Sequence, residues 1–342
     1  MISAWVHHIA ETGSSCKDNK VQLSAQTLAG YAKAAQYWCV VFLHLNLDLN
    51  IDQHGFAHPF ITEVINQRRA WAQPRQKKEP ITRAMFTNAQ NRLESNLTRD
   101  KTSILGRQAA VHNFTCLGLF TGSRVGEYGQ TSARRGTFHR IPYTPDAGAW
   151  AGLPIAFIRD DFTFWTKYAV ELDKSDLARV SAEAMEVYIR FRYDKSINNF
   201  TIRKFCRTHD AFLCPVKASI AILVRAKLLQ VPHLAPIGVF RKTKSSSGYD
   251  YLTNTDVTAE LRMTCTHTYT DPHHYMHQRK MHIMAHSVRV TAAVALHANK
   301  VSFDTIAFRL RWSVPSVQHY IRENSQNLAD LSAAVVIGAG RL

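Results

Sequence analysis

The sequence predicts an α+β fold, mainly α, with one small antiparallel sheet and a separate small helical bundle before it. Three observations lead there. Apolar residues recur at helical spacing over much of the 342-residue chain, whereas Glu186-Val-Tyr-Ile-Arg-Phe-Arg-Tyr-Asp194 alternates with period two and is followed by turn residues and a second β-rich run. The segment Gln73-Pro-Arg-Gln-Lys-Lys-Glu-Pro80 carries two prolines that cannot continue a helix and almost nothing to bury, so it reads as an interdomain linker. A composition of 46% hydrophobic, 10% aromatic and 20% charged residues describes a globular chain with apolar mass for one large or two ordinary domains. The expected divisions are residues 1–75, 76–325 and a tail, 326–342.

Taken in order, Gln22 to Asn46 has the spacing of one or two helices, and Pro59 to Trp71 reads as another with its proline near the start. Ala34 to Leu47 is uncharged for only 14 residues, short of the roughly 20 a membrane span needs, and is read as a buried helix. The N-terminal residues MISAWVHHIAETGSS lack a basic segment followed by an apolar one, which argues against secretion. Beyond the linker, Ile81 to Leu97 is a helix, and Gly106 to Phe120 is a more apolar and therefore more buried one. In the alternating strand, Val187, Ile189, Phe191 and Tyr193 share one face, and Tyr188, Arg190 and Arg192 the other. Lys195-Ser-Ile-Asn-Asn199 forms the turn and Phe200 to Cys206 the returning strand, giving a hairpin with a basic face. Pro215 to Gln230 and Met284 to Asn299 return to helical spacing, Lys242 to Gly248 is a flexible loop, and no internal repeat is visible. The tail residues Leu328 to Ile337 are apolar enough for a short helix.

Charge narrows the class of partner. Forty-two Lys and Arg against 26 Asp and Glu leave +16, with a pI near 9.7. Residues 1–79 hold 8 basic and 6 acidic side chains, and residues 80–342 hold 34 and 20, so the basic surface belongs to the longer region. Nucleic acid is the first candidate partner and an anionic membrane surface the second. The six cysteines, at 16, 39, 116, 206, 214 and 265, contain no CxxC pair, which suits a reducing compartment with free, mostly buried thiols. Cys265, His267, His273, His274, His277, His282 and His286 crowd one stretch, but their spacing fits no closed Cys/His pattern; a polar loop leading into a helix is favoured over a metal site.

The motifs GxxxxGK[ST], GxGxxG after a strand, HExxH and GxSxG are absent. What remains is scattered. In Thr121-Gly-Ser-Arg-Val-Gly-Glu127, Gly122 can end the buried helix, and Arg124 and Glu127 share a face if a new helix begins there. His286-Ser-Val-Arg289 repeats that spacing. Leu310-Arg-Trp-Ser-Val-Pro-Ser-Val-Gln-His-Tyr-Ile-Arg322 ends one helix and starts another, with Ser313 and Pro315 as start signals and Tyr320 little more than a turn inside. Singly, these also suit a helix-capping turn, a solvated helix face and a core aromatic.

Their order is more specific. TGxRxxE, a basic hairpin with a lysine at its turn, HxxR, a tryptophan 23 residues on and a tyrosine eight after that resemble the tyrosine recombinases, or phage-type integrases, over about residues 76–325. HSVRV, LRW, YIRE and Leu213-Cys-Pro-Val216 are most similar to the recombinases of eukaryotic mobile elements of the Crypton and DIRS type. Val288 and Val290-Thr-Ala-Ala293 depart from the more usual LRHTFAT, and no tyrosine other than Tyr320 follows Trp312.

The resemblance implies a catalytic set of Arg124, Lys195, His286, Arg289, Trp312 and Tyr320, supported by Glu127, with Lys204 as a rival to Lys195. It implies an integrase-like catalytic core, a possibly truncated DNA-clamping N-terminal domain, and a tail helix that docks on a neighbouring protomer or packs on its own domain. The implied partners are double-stranded DNA and a homotetramer acting on two duplexes, without membrane, cofactor or metal. Strand exchange through a 3′-phosphotyrosine is the expected function; type IB topoisomerase-like relaxation and a catalytically decayed DNA-binding protein are the alternatives. The nucleus is expected if the host is eukaryotic, otherwise the cytoplasm. The basic cluster Arg68 to Lys78 suits a nuclear signal or a linker lying on DNA.

The chemistry explains the grouping. A phenol with a pKa near 10 is a poor nucleophile toward an anionic phosphodiester, so the transition state needs dense positive charge at the nonbridging oxygens. Guanidinium supplies it through paired hydrogen bonds that lysine does not match.

Overall fold

A computed structural model describes residues 25–42, 62–66, 78–130, 134–143, 145–193, 201–210, 212–242 and 248–322. The chain divides between Gln76 and Lys77 into two units. In the first, α1 (Ala25–Phe42) buries Leu28 and Ala32, spaced one turn apart, and a helical turn at 62–66 buries Val64. Of the stretch from Ala34 read as a buried helix, Tyr37 at 67% and Val41 at 41% exposed lie on the outward side of α1, as one stripe of any half-buried helix does; the side chains of 38–40 and 42 lie outside the described set. Residues 43–47 lie outside the described residues.

The second unit is mainly helical with a small antiparallel sheet. The division falls within the segment 73–80 read as a linker, and the described residues at its end are anchored on the second unit. Glu79 is buried, accepting an ion pair from Arg279 Nε at 2.7 Å, and the backbone N–H of Ile81 donates to Thr291 Oγ1 at 2.6 Å. Thr82 then caps α2 (Arg83–Arg99), its side chain accepting from the Met85 N–H.

The centre is α3 (Arg107–Thr121). Ala109, Ala110, Val111, Phe114, Cys116 and Leu117 are all buried, as expected of a helix apolar on nearly every face. It ends where Gly122 takes the left-handed conformation at φ 64°, which the absence of a Cβ allows.

Beside it lies a four-stranded sheet in the order β2-β1-β3-β4, built from β1 (Phe162–Trp165), β2 (Glu171–Leu172), β3 (Glu186–Phe191) and β4 (Thr201–Cys206), antiparallel at each pairing. The β3–β4 register sets Glu186 opposite Cys206 and Phe191 opposite Thr201. Val187, Ile189 and Phe191 point into the core, as the alternation requires.

Arg192, expected on the basic outer face, is instead fully buried. It pairs with Asp161 at 2.9 Å and donates to the Ala156 carbonyl at 2.6 Å, and that local partner overrides the period-two reading just past the strand end.

Helix α4 (Leu177–Glu183) precedes β3, and α5 (Pro215–Leu228), begun by its proline, packs on α3 and the sheet. A second ribbon, β5 (Val239–Arg241) with β6 (Tyr249–Tyr251), leads into α6 (Asn254–Thr268), capped by reciprocal hydrogen bonds between Thr253 and Asp256. Cys265 and His267, assigned to a polar loop from the sequence, lie in α6; α7 (Tyr275–Gln278) follows. The thiols of Cys116, Cys214 and Cys265 are buried and free, and that of Cys206 is exposed.

Three helices end the described part of the unit: α8 (Ser287–Ala298), α9 (Phe303–Leu310) and α10 (Val314–Arg322). A Cβ on Gly118 would lie 2.9 Å from Val288 Cγ1, so the glycine permits the close approach of α3 and α8. Ala292, Ala293, Ile306, Ala307, Leu310, Val317 and Ile321 form a small core of their own, with Trp312 and Tyr320 packed against it. Among the described residues, no helix is long and apolar enough to cross a membrane.

Candidate functional site

Four chain segments meet at one end of α3. The turn after Gly122 brings Arg124, whose residue begins a single 3-10 turn, Val125–Glu127. The Arg124 backbone N–H donates to Glu127 Oε2 at 3.1 Å, and its guanidinium lies 3.9 Å from Oε1 of the same carboxylate. The expected shared face is thus realised by one tight turn rather than a new α-helix. Glu127 is 5% exposed while the Arg124 side chain is 44% exposed, so the acid is the buried anchor and the base the accessible group.

The start of α8 supplies His286 and Arg289. Arg289 is buried, donates through Nη1 to the Gly122 carbonyl, and lays its guanidinium carbon 4.2 Å from the Trp312 ring centroid. Burial, with the like charge of Arg124 next, brings its pKa down from 12.5 to about 10, still charged at neutral pH. His286 is pushed down to about 4, first by burial and then by the cations Arg289, Lys78 and Arg124, so its imidazole is neutral at physiological pH.

Two further segments complete the cluster, the turn between α9 and α10 with Trp312 and α10 itself with Tyr320. The Tyr320 ring lies 5.1 Å from that of His286 and 5.0 Å from that of Trp312, tilted in both cases. Among the described residues, Trp312 Nε1 and Arg289 Nε, both buried, have no hydrogen-bond partner. Two N–H donors and a half-exposed guanidinium therefore sit beside a phenol and a neutral imidazole. Such a grouping of cations with underused donors is electrostatically unfavourable alone and suited to an oxyanion.

No family model and no curated protein matches the chain.

Of the residues singled out in the sequence, Arg124, Glu127, His286, Arg289, Trp312 and Tyr320 come together. Lys195 lies outside the described residues. Its rival Lys204 lies on β4 opposite Tyr188; its ammonium pairs with Glu186 at 2.6 Å, and that hydrogen bond raises its pKa.

Sequence reasoning missed Arg311. It is 3% exposed, donates from Nη2 to Glu127 Oε2 at 2.9 Å, and lies 3.6 Å from the Phe191 ring centroid. Its place beside Trp312 was the available signal, but nothing in the sequence reveals a partner 184 positions away.

The histidine-rich stretch is used structurally. His277 Nδ1 shares a hydrogen bond with the Tyr269 carbonyl at 2.7 Å, and His274 stacks on Tyr269 at 4.3 Å. Among the described residues, no group of three His, Cys, Asp or Glu is placed to hold a metal ion.

Proposed function

We propose that this chain is a DNA strand-exchange enzyme of the tyrosine-recombinase type, cleaving and rejoining strands through a 3′-phosphotyrosine. The observation that carries the reading is the convergence of two arginines, an indole N–H, a neutral histidine and one tyrosine from four segments. The order of those residues along the chain is the one that resembles the family. The excess of basic residues after position 79 suits a duplex partner.

In this mechanism the scissile phosphate lies against Arg124 and Arg289, with Trp312 Nε1–H available to a nonbridging oxygen. Tyr320 Oη attacks phosphorus and the bond to the 5′ oxygen breaks, leaving the 3′-phosphate on tyrosine. The phenol proton passes toward His286, whose neutral ring accepts it more readily once phosphate charge offsets the surrounding cations. The departing 5′ oxygen gains a proton from Lys195, a role given by the resemblance alone. Attack by the 5′-hydroxyl of a second strand reverses the steps and regenerates the phenol, so the chemistry consumes no cofactor. Four protomers on two duplexes, encoded by a mobile element and working in the nucleus of a eukaryotic host, complete the reading.

The test is a pool of nicked suicide duplexes with randomised sequence around the nick. Wild type should form an adduct that survives SDS, and Tyr320→Phe should not. Adducts that persist in Tyr320→Phe would reassign the nucleophile. A wild type that binds duplex but never forms an adduct would leave only the DNA-binding alternative. Crosslinking on DNA separates tetrameric exchange from relaxation by a single protomer.

A further inference from the structure

Arg311 occupies a backbone position made for another residue. It ends α9 at φ 59° and ψ 43°, left-handed space where a Cβ is strained and glycine is the usual choice. Glycine would satisfy the backbone, so what arginine adds is its guanidinium. That group is buried against Phe191 and directed at the one carboxylate of the cluster, Glu127.

Glu127 stands between two arginines of unequal claim. Its short ion pair goes to buried Arg311 at 2.9 Å, whereas the Arg124 guanidinium is 3.9 Å away and far more exposed. Because Oε2 also accepts the Arg124 backbone N–H, the carboxylate fixes the turn carrying Arg124 without drawing its side chain into a close pair. Deprived of Arg311, a buried carboxylate would seek the nearest remaining cation, and that cation is Arg124.

We propose that Arg311 is a positioning residue: by neutralising Glu127 it keeps the Arg124 guanidinium directed to the substrate's phosphate. The inference rests on the strand-exchange reading for the identity of that phosphate. Arg311 touches no reacting atom, and its effect passes through Glu127. It also joins the sheet to the cluster, because Phe191 closes β3 and Trp312 follows Arg311 directly.

The experiment is a double-mutant cycle of Arg311→Gly, Glu127→Gln and their combination, with Arg311→Lys as the conservative variant. Glycine suits the backbone, and the combined variant leaves neither charge stranded, so a folded comparison is available even if Arg311→Gly is unstable. Single-turnover adduct formation should fall on the order of 100-fold in Arg311→Gly, the scale of a misplaced catalytic contact, with duplex affinity nearly unchanged. Arg311→Lys should recover part of the rate. In the Glu127→Gln background, loss of Arg311 should add little. Multiplying effects, or a wild-type rate in Arg311→Gly, would overturn the proposal.

If wild type forms no adduct, the strand-exchange reading fails, and the positioning claim is decided by sulfate titration at the Trp312 indole N–H resonance. Arg311→Gly should weaken sulfate by about fivefold or more, as expected when one charged donor is misdirected, and adding it to Glu127→Gln should change nothing. Unchanged sulfate binding in Arg311→Gly would refute it.

Discussion

Acid should weaken this fold through two buried histidines, partly offset by Asp161, whose carboxyl burial pushes up to about 6 so that its own protonation favours the folded state in the same range. His112, on α3, is brought down from 6.5 to about 4 by burial and then by Arg225; His286 reaches about 4 by burial and then by Arg289, Lys78 and Arg124. Both therefore stay neutral in the folded chain between pH 6.5 and 4, while their unfolded counterparts take up protons. The unfolded state binds more protons in that window, so stability is full above pH 6.5 and falls with pH until the folded pKa is reached. For each shift of this size, linkage gives a loss of about 2 kcal/mol between pH 7.5 and pH 5. Guanidinium unfolding of the full chain at half-unit intervals over that range measures it. His112→Leu keeps an apolar contact with Phe86, whose ring lies 6.4 Å from the imidazole, and should reduce the acid loss by about 2 kcal/mol, its own share. If His112→Leu retains the whole pH dependence, or if the two imidazole resonances titrate near pH 6.5 in the folded protein, the burial argument is wrong.

Other substitutions probe the same physics. Arg192→Leu strands Asp161 in the interior and should cost about 3–5 kcal/mol by denaturant unfolding, whereas Arg192→Met with Asp161→Leu should cost much less. Gly122→Ala forces a Cβ into left-handed space, 2.9 Å from Leu310 Cβ, and displaces the carbonyl that Arg289 holds; it should lower stability by about 1–2 kcal/mol and abolish adduct formation, read by thermal melting and SDS gels. Arg289→Lys keeps the charge but not the planar donor pair, so cleavage should drop at least about 100-fold while the salt dependence of duplex binding stays close to wild type.

Legibility of the sequence followed the range of the interaction involved. The ends of α3 could be read from helical periodicity and from Gly122, and the inward face of β3 from its alternation, because these signals are local. The ribbon β5–β6 and strand β2 were missed, since two or three residues carry no measurable period. Helix α6 was missed entirely, although Thr253 and Asp256 carry the spacing of a helix cap. Arg192 and Arg311 were misread or overlooked for a different reason. Each is a charged side chain whose burial depends on one carboxylate brought up by the fold, Asp161 and Glu127, which no local pattern encodes. At the candidate site, residue types and order were visible beforehand; the state of the groups was not. That His286 is neutral, and that Trp312 Nε1 has no partner among the described residues, follows only from packing.

The central claim is that Tyr320 becomes covalently joined to a DNA 3′-phosphate. Trypsin cuts after Arg311 and Arg322, so nuclease-trimmed adducts should yield the peptide from Trp312 to Arg322 carrying a 3′-linked nucleotide on Tyr320. Tandem mass spectrometry should place that nucleotide on the tyrosine. A nucleotide found on any other residue, or a wild-type chain that engages cleavable DNA and never carries one, would contradict the account.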